Sequence, residues 1–128
     1  MMDTCKSFEA RATIPARDLR RAQAWYHDKL GLTPDNEDAG GLNYTCENSG
    51  FLLYETQYAG TAKNTLMSFT TDHLDSEMTE LRGRGVRFEE YDQPGLKTVN
   101  GVATMGELRG AWFKDGDGNI LALVERRG

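Results

Sequence analysis

The stretch FKDGDGNILALVER, residues 113–126, predicts a strand, a tight turn and a second strand. Its two glycines tolerate positive φ angles, and the neighbouring side chains of Asp115, Asp117 and Asn119 can bond the local backbone, which is typical of a turn. An EF-hand calcium loop is excluded, because counting from Asp115 its sixth and twelfth positions hold Ile120 and Arg126 instead of glycine and glutamate. The residues of this segment that bear on function are therefore those of the strand that follows the turn.

The composition limits the possible functions. The chain has 128 residues, of which 38% are hydrophobic and 27% charged, a size that fits one domain covering residues 1–128. A net charge of -5 without a basic stripe excludes nucleic acid and anionic membranes as partners. The chain has no apolar run typical of a signal peptide or a membrane span, which predicts a cytoplasmic protein. Cys5 and Cys46 are far apart and lack CxxC spacing, which favours reduced thiols.

The chain consists of two halves with the same pattern. In the first half, Asp18 precedes a helix with apolar residues at helical spacing and a stop at Gly31, and two strands follow. In the second half, a strand, a helix and further strands repeat this order. We therefore predict two βαβββ modules, about 8–56 and about 65–126. Aligning the turn glycines of the two halves places Tyr54 on Ala122.

Two runs carry a resemblance to a known family. IPARDLRRAQAWYHDKLGL, residues 14–32, and RGAWFKDGDGNILALVE, residues 109–125, resemble the vicinal oxygen chelate superfamily. That superfamily contains glyoxalase I, extradiol dioxygenases, fosfomycin resistance proteins and bleomycin resistance proteins. The resemblance extends over roughly residues 9 to 125. It implies an α+β fold in which paired βαβββ modules form a cup-shaped curled sheet, and it implies a homodimer.

The resemblance also implies where a metal would bind. In the metal-dependent members, four inward side chains, mostly His and Glu, hold a divalent ion, and these positions map onto Arg11, Tyr54, Leu66 and Ala122. Arginine carries a fixed positive charge, leucine and alanine have no donor atom, and tyrosine binds metal weakly at neutral pH. A register shift of one residue would add only Glu55 as a ligand. We therefore expect no cofactor and no metal at this site, and a relocated divalent metal stays an open alternative.

The remaining inward positions predict a binding surface for an organic molecule. Alternation along the strands gives an apolar and aromatic lining with hydroxyl groups and one arginine. Arg11 could pair with a ligand oxygen, and Tyr54 and Trp112 could stack on a flat ring; each could also be an ordinary surface or core residue. The long segment 91–110 would bring Lys97 to the rim. The candidate ligand-binding residues are Arg11, Thr13, Tyr54, Ser68, Lys97 and Trp112.

Two classes of function follow. The chain has no GxSxG elbow, P-loop or GxGxxG, so no catalytic residue can be named. The missing metal ligands favour a protein that binds small molecules, as bleomycin resistance proteins do, and sequesters a drug or aromatic metabolite. The alternative is a vicinal oxygen chelate enzyme of the lyase, isomerase or dioxygenase type, with a non-standard metal site or none.

Overall fold

Two four-stranded sheets and two helices make up the computed structural model, which describes residues 9–126, so that Cys5 lies outside the described range. The first sheet has the order β1 (Ala12–Ala16), β4 (Gly50–Glu55), β3 (Gly41–Thr45) and β2 (Asn36–Asp38). The second has the order β5 (Thr65–Thr70), β10 (Ile120–Arg126), β9 (Leu108–Lys114) and β8 (Ala103–Met105). The remaining elements are the helices α1 (Leu19–Leu30) and α2 (Leu74–Gly83) and a short hairpin of β6 (Asp92–Gln93) and β7 (Leu96–Lys97). The predicted α+β class is confirmed.

In both halves of the chain, a glutamate near the end of a strand accepts a hydrogen bond from the backbone N–H at the start of a helix. A carboxylate oxygen of Glu55, at the end of β4, accepts the backbone N–H of Leu19 at 3.1 Å. The equivalent oxygen of Glu125, near the end of β10, accepts the backbone N–H of Leu74 at 2.9 Å. Each carboxylate satisfies a helix N–H that has no partner within its helix, and its charge interacts favourably with the helix dipole. The N–H of Leu74 and the side chain of Arg109 lower the pKa of Glu125.

The ends of α1 follow the local sequence. The side chain of Asp18 accepts the backbone N–H of Arg21 at 3.1 Å, as expected of an N-cap. Gly31 ends the helix with a φ of 70°, a left-handed conformation that glycine adopts without strain. At α2 the N-cap position holds His73, whose side chain makes no capping bond. Glu125 supplies the carboxylate there instead.

The register of the strands corrects the predicted equivalence of the two halves. Thr13 in β1 is paired with Leu52 in β4, and Ser68 in β5 is paired with Ala122 in β10. Thr13 and Ser68 occupy equivalent positions in the two halves, so their partners Leu52 and Ala122 are also equivalent. The prediction that Tyr54 is the counterpart of Ala122 was therefore wrong by two residues. The cause is the alignment of the turn glycines, because Gly50 is the first residue of β4 whereas Gly118 precedes the start of β10 by two residues. A shift of two keeps the same face of the strand.

The DGDGN segment is a turn that also connects distant elements. One carboxylate oxygen of Asp115 accepts the backbone N–H of Asp117 at 2.9 Å and that of Asn119 at 3.0 Å. Its other oxygen accepts the hydroxyl of Tyr26 in α1 at 2.6 Å and the amide of Asn119 at 2.9 Å. Asn119 is fully buried, and its amide also donates to the carbonyl of Pro15 in β1 at 2.8 Å. The turn therefore joins β9 and β10 to α1 and β1.

A loop between the halves contacts the same turn. The backbone N–H of Gly60 donates to the side-chain oxygen of Asn119 at 3.0 Å. Gly60 has a φ of 77°, and a Cβ atom there would lie 2.0 Å from the carbonyl oxygen of Asp117. Only glycine permits this close approach.

No helix of the described residues is long and apolar enough to span a membrane.

The Tyr26 hydroxyl gives a first test of this network. Burial and the neighbouring Asp115 carboxylate raise the pKa of Tyr26, which keeps the phenol as a donor. We expect Tyr26→Phe to lower the free energy of unfolding by about 2 kcal/mol, because a hydrogen bond to a charged group contributes ~1.5–3 kcal/mol. Urea denaturation measures this change. Tyr58→Phe is the control, since Tyr58 is 67% exposed; an equal loss in both variants would contradict the role of the network.

Tyr44 should behave in the opposite way. It is buried and stacked on Phe51, and its hydroxyl has no hydrogen-bond partner among the described residues. We expect Tyr44→Phe to leave the free energy of unfolding unchanged or to raise it by up to ~1 kcal/mol at neutral pH, because the variant removes a buried unpaired polar group. A substantial destabilisation at neutral pH, measured by urea denaturation, would show that the hydroxyl has a partner.

The pH dependence of the same variant gives a second readout. Burial raises the pKa of Tyr44 from 10.0 to about 12. Between these values the unfolded state loses the phenol proton and the folded state keeps it, so the free energy of unfolding falls as the pH rises. Denaturation at a series of alkaline pH values should show a smaller fall for Tyr44→Phe than for the parent protein.

Candidate functional site

The first sheet has a face that α1 leaves uncovered. Ile14 and Leu53 are fully buried in the hydrophobic core. Because successive side chains of a strand alternate between its faces, Thr13, Leu52 and Tyr54 lie on the opposite face. Thr13 is exposed, and Leu52 and Tyr54 are partly exposed.

The second sheet has an equivalent face. Phe113 and Leu123 are buried in the core, so their strand neighbours Trp112 and Ala122 point the other way. Trp112, Ala122 and Ser68 form one row across β9, β10 and β5. Trp112 is partly exposed and Ser68 is exposed. We call the surface formed by the following side chains the open face: Thr13, Leu52, Tyr54, Ser68, Trp112 and Ala122.

The two parts of the open face meet at a seam. Strands β1 and β5 contact each other there, but no hydrogen-bonded ladder joins them in the described residues. Tyr54 on β4 and Trp112 on β9 are separated by β1, β5 and β10. Four strand spacings of ~4.8 Å put the two positions roughly 19 Å apart along the sheets. One small ring that contacted both would have to bridge the seam.

Trp112 has an aromatic neighbour that the sequence did not reveal. The ring of Tyr91 packs edge-on against Trp112, with 5.7 Å between the centroids and 79° between the planes. Burial, with a smaller contribution from the charge of Glu89, raises the pKa of Tyr91, so its phenol is neutral at neutral pH. Tyr91 was missed because it belongs to a segment without strand periodicity. Its contact with Trp112 depends on the tertiary fold.

Asn43 lies beside the open face, on the same side of the first sheet as Leu52. It pairs with Leu52 across β3 and β4, next to the pair of Thr13 with Leu52. Its side-chain amide donates to Asn36 at 2.9 Å and to Asp38 at 3.0 Å. The alternation of residues 42–45, Leu-Asn-Tyr-Thr, is the signal that could have identified this residue.

The structure directs the Arg11 side chain to the first hairpin. Its Nη2 donates to the backbone carbonyl of Tyr44 at 2.9 Å and to that of Phe51 at 3.3 Å. A Cβ atom on Gly50 would lie 2.8 Å from this nitrogen, so glycine makes room for the guanidinium. The group therefore fastens β3 to β4 and is not placed beside Tyr54.

Lys97 is also apart from the other candidates. The segment predicted as a long loop contains the β6–β7 hairpin and β8, and Lys97 ends β7 as an exposed residue. It lines a groove next to α2 together with Arg82 and Arg109. Of the six candidates, Thr13 and Tyr54 therefore share the first sheet, and Ser68 and Trp112 share the second.

The side chains at the family's metal positions do not fit a divalent ion. After the register correction these positions are Arg11, Leu52, Leu66 and Ala122. Arg11 is positive and bonded to the hairpin, and the other three are hydrocarbon side chains without a donor atom. Within residues 9–126, no group of three or more His, Cys, Asp or Glu side chains is arranged to hold a metal. Burial raises the pKa of Cys46, which disfavours the thiolate that a cysteine nucleophile needs.

A family model matches most of the chain. The model of the Glyoxalase/Bleomycin resistance protein/Dioxygenase superfamily matches residues 10–123. No curated protein sequence matches the chain.

Solved structures with low sequence identity share the fold. A putative glyoxalase family protein from Bacillus anthracis has a TM-score of 0.72 at 17% identity, over 94% of this chain and 95% of that chain. TnmS3, an antibiotic binding protein from Streptomyces sp. CB03234, has a TM-score of 0.68 at 22% identity, over 93% and 95%. Lactoylglutathione lyase from Agrobacterium tumefaciens has a TM-score of 0.68 at 18% identity, over 93% of each chain.

The donor set leads to a prediction about metal content. We expect the purified protein to contain no stoichiometric divalent metal, because Leu52, Leu66 and Ala122 provide no lone pair for an ion. Elemental analysis before and after incubation with zinc, nickel, manganese and ferrous iron, each followed by dialysis, measures this. One ion per chain that survives dialysis would contradict the prediction and would identify a relocated site.

Proposed function

Because the chain belongs to the Glyoxalase/Bleomycin resistance protein/Dioxygenase superfamily, we propose that it binds a small organic molecule on its open face without metal. The observation that carries this proposal is the set of hydrocarbon side chains at Leu52, Leu66 and Ala122, where a chelating site would need donors. Of these residues, the partly exposed Leu52 gives the open face apolar surface. An apolar surface with a few polar groups is typical of a site for an organic ligand.

The side chains of the open face define the class of ligand. Tyr54, Trp112 and the adjacent Tyr91 offer faces or edges to a flat ring, and such aromatic contacts contribute ~0.5–1.5 kcal/mol each. Thr13 and Ser68 offer hydroxyl groups to polar substituents. We therefore infer an aromatic metabolite or drug with a flat ring as the ligand. The likeness to TnmS3, an antibiotic binding protein, supports sequestration as the role.

The proposal includes a homodimer, in which a second copy of the chain covers the open face. Leu52, Tyr54 and Trp112 are partly exposed on the open face of the single chain. Adjacent apolar groups exposed in this way are typical of a surface that another molecule covers. A homodimer would enclose a ligand between two such faces. The homodimer and the cytoplasmic location stay predictions from the sequence.

An enzymatic role is the second candidate. The likeness to a lactoylglutathione lyase favours it, although at 18% identity that likeness shows the fold alone. Such an enzyme would act without a metal or with donors outside the four family positions. Chromatography of the bound ligand after prolonged incubation distinguishes the two roles: recovery of unchanged ligand supports sequestration, and conversion to a product supports an enzyme.

Trp112 provides a direct measurement of ligand binding. The chain has two tryptophans, and Trp25→Phe leaves Trp112 as the only one. We expect a flat polycyclic ligand, identified in a screen, to quench Trp112 fluorescence to saturation. In this background Tyr54→Ala should weaken binding by about tenfold, because one aromatic contact and its buried area contribute ~1–1.5 kcal/mol.

Tyr58→Ala serves as the matched control, because Tyr58 lies outside the open face and is 67% exposed. It should change the affinity less than twofold or so, as a surface substitution away from the site. The melting temperature of Tyr54→Ala should stay nearly unchanged. A loss of stability of about 3 kcal/mol or more would show that Tyr54 belongs to the core, since that is the cost of truncating a buried aromatic residue.

A further inference from the structure

A groove of about 650 Å³ lies between α2 and the segment that runs from β7 to β9. Met78 and Arg82 of α2 line it on one side, and Val99 and Val102 line it on the other. Arg109 of β9 also contributes to the lining. We call this groove, defined by these five residues together with Lys97, the outer groove.

The outer groove is separate from the open face. Arg109 lies on the same face of β9 as Ala111 and Phe113, which are fully buried in the core to which the helices contribute. It therefore projects from the helix side of its sheet, whereas Trp112 projects from the other side. A ligand in the outer groove would not contact Trp112.

The lining of the outer groove carries three cations, Arg82, Lys97 and Arg109, and one carboxylate, that of Asp75. The guanidinium of Arg109 is held by Asp75, at 3.3 and 3.0 Å, and by Glu125, at 3.0 and 2.9 Å, so its charge is compensated. Arg82 donates to the backbone carbonyl of Asn100 at 2.9 Å, a contact that neutralises no charge. In the described part of the chain, no carboxylate lies within 4.0 Å of the charged groups of Arg82 or Lys97. Arg82 also lies over the Phe88 ring, 5.2 Å from its centroid, and its charge contributes to lowering the pKa of Glu90. Lys97 makes no such contact in the described part of the chain, so an anion in the groove would pair with Lys97 and share the guanidinium of Arg82.

Apolar side chains complete the groove. Met78 and Val102 contribute to its lining, and Val99 stands beside them with 66% of its surface exposed. Val99 and Val102 exchange backbone hydrogen bonds of 2.8 and 3.1 Å around a tight turn at Asn100 and Gly101. Both turn residues have left-handed φ angles, 54° and 83°.

The turn is held rigidly by its neighbours. A carboxylate oxygen of Glu90 accepts the backbone N–H of Gly101 at 2.9 Å and the hydroxyl of Thr98 at 2.6 Å. These hydrogen bonds, chiefly that of Thr98, lower the pKa of Glu90, so the carboxylate is charged at neutral pH. A fixed turn, and not a loosely packed loop, therefore exposes Val99 next to the two cations. A ligand that bound there would not have to order the turn.

We propose that the outer groove is a second binding site, for a small organic oxyanion. Its phosphate, carboxylate or sulfonate group pairs with Lys97 and Arg82, which both donate to oxyanions. Its apolar body packs on Val99 and Val102. This site depends neither on the open face nor on the ligand that binds there.

Phenyl phosphate is the probe that tests the site. It is titrated into the full-length, ¹⁵N-labelled protein while the backbone amide resonances of Val99, Gly101 and Thr104 are followed. We expect saturable shifts of these resonances. Lys97→Glu should weaken the affinity by about fivefold or more, because the substitution replaces an attraction by a repulsion. Lys63→Glu makes the same charge change at an exposed lysine elsewhere and should stay within about twofold of the parent.

A second variant and a second probe examine the apolar part. Val99→Ser should weaken the binding of phenyl phosphate, and inorganic phosphate should bind the parent protein more weakly than phenyl phosphate. No saturable shift, equal weakening by Lys97→Glu and Lys63→Glu, or shifts confined to Leu52 and Trp112 would each overturn the proposal. Equal affinities for inorganic and phenyl phosphate would overturn the assignment of an apolar body.

Discussion

The buried carboxylate of Asp115 is the interaction on which the arrangement of the two halves depends. It accepts a hydroxyl from α1, two N–H groups of its own turn and the amide of Asn119, which in turn reaches β1. A charge is costly to bury unless hydrogen bonds replace its hydration. The carboxylate therefore requires all of these donors together. Because the donors come from both halves of the chain, the position of one half fixes that of the other.

The sequence was informative where structure is decided locally. The Asp18 cap and the Gly31 stop of α1 depend on neighbouring residues, and both were predicted. An error of two residues along a strand leaves a side chain on the same face, because strands have a period of two. The register itself was missed, since Gly50 begins β4 whereas Gly118 lies two residues before β10, so the two glycines are not equivalent. The partners of Arg11 lie 33 and 40 residues away, and no local pattern indicates them.

The protein shares the fold of its family, whereas hydrocarbon side chains stand at three of the positions that the resemblance assigns to a metal. The family model matches residues 10–123, so the scaffold is kept, while Leu52, Leu66 and Ala122 stand where chelating donors would be needed. Replacing donors by hydrocarbon groups removes the binding energy for an ion and adds apolar surface for an organic molecule. Function on such a scaffold follows from the side chains at the site and cannot be transferred with the fold.

The seam between β1 and β5 has a consequence for the width of the open face. Strands β4 and β10 have hydrogen-bonded neighbours on both sides, whereas β1 and β5 meet without a ladder in the described residues. A change in the angle between the sheets therefore breaks no backbone hydrogen bond between strands. The angle between the two sheets is instead set by side-chain hydrogen bonds between the halves, from Tyr26 to Asp115 and from Asn119 to Pro15. The width of the open face therefore depends on these side chains, and not on a continuous ladder of backbone hydrogen bonds.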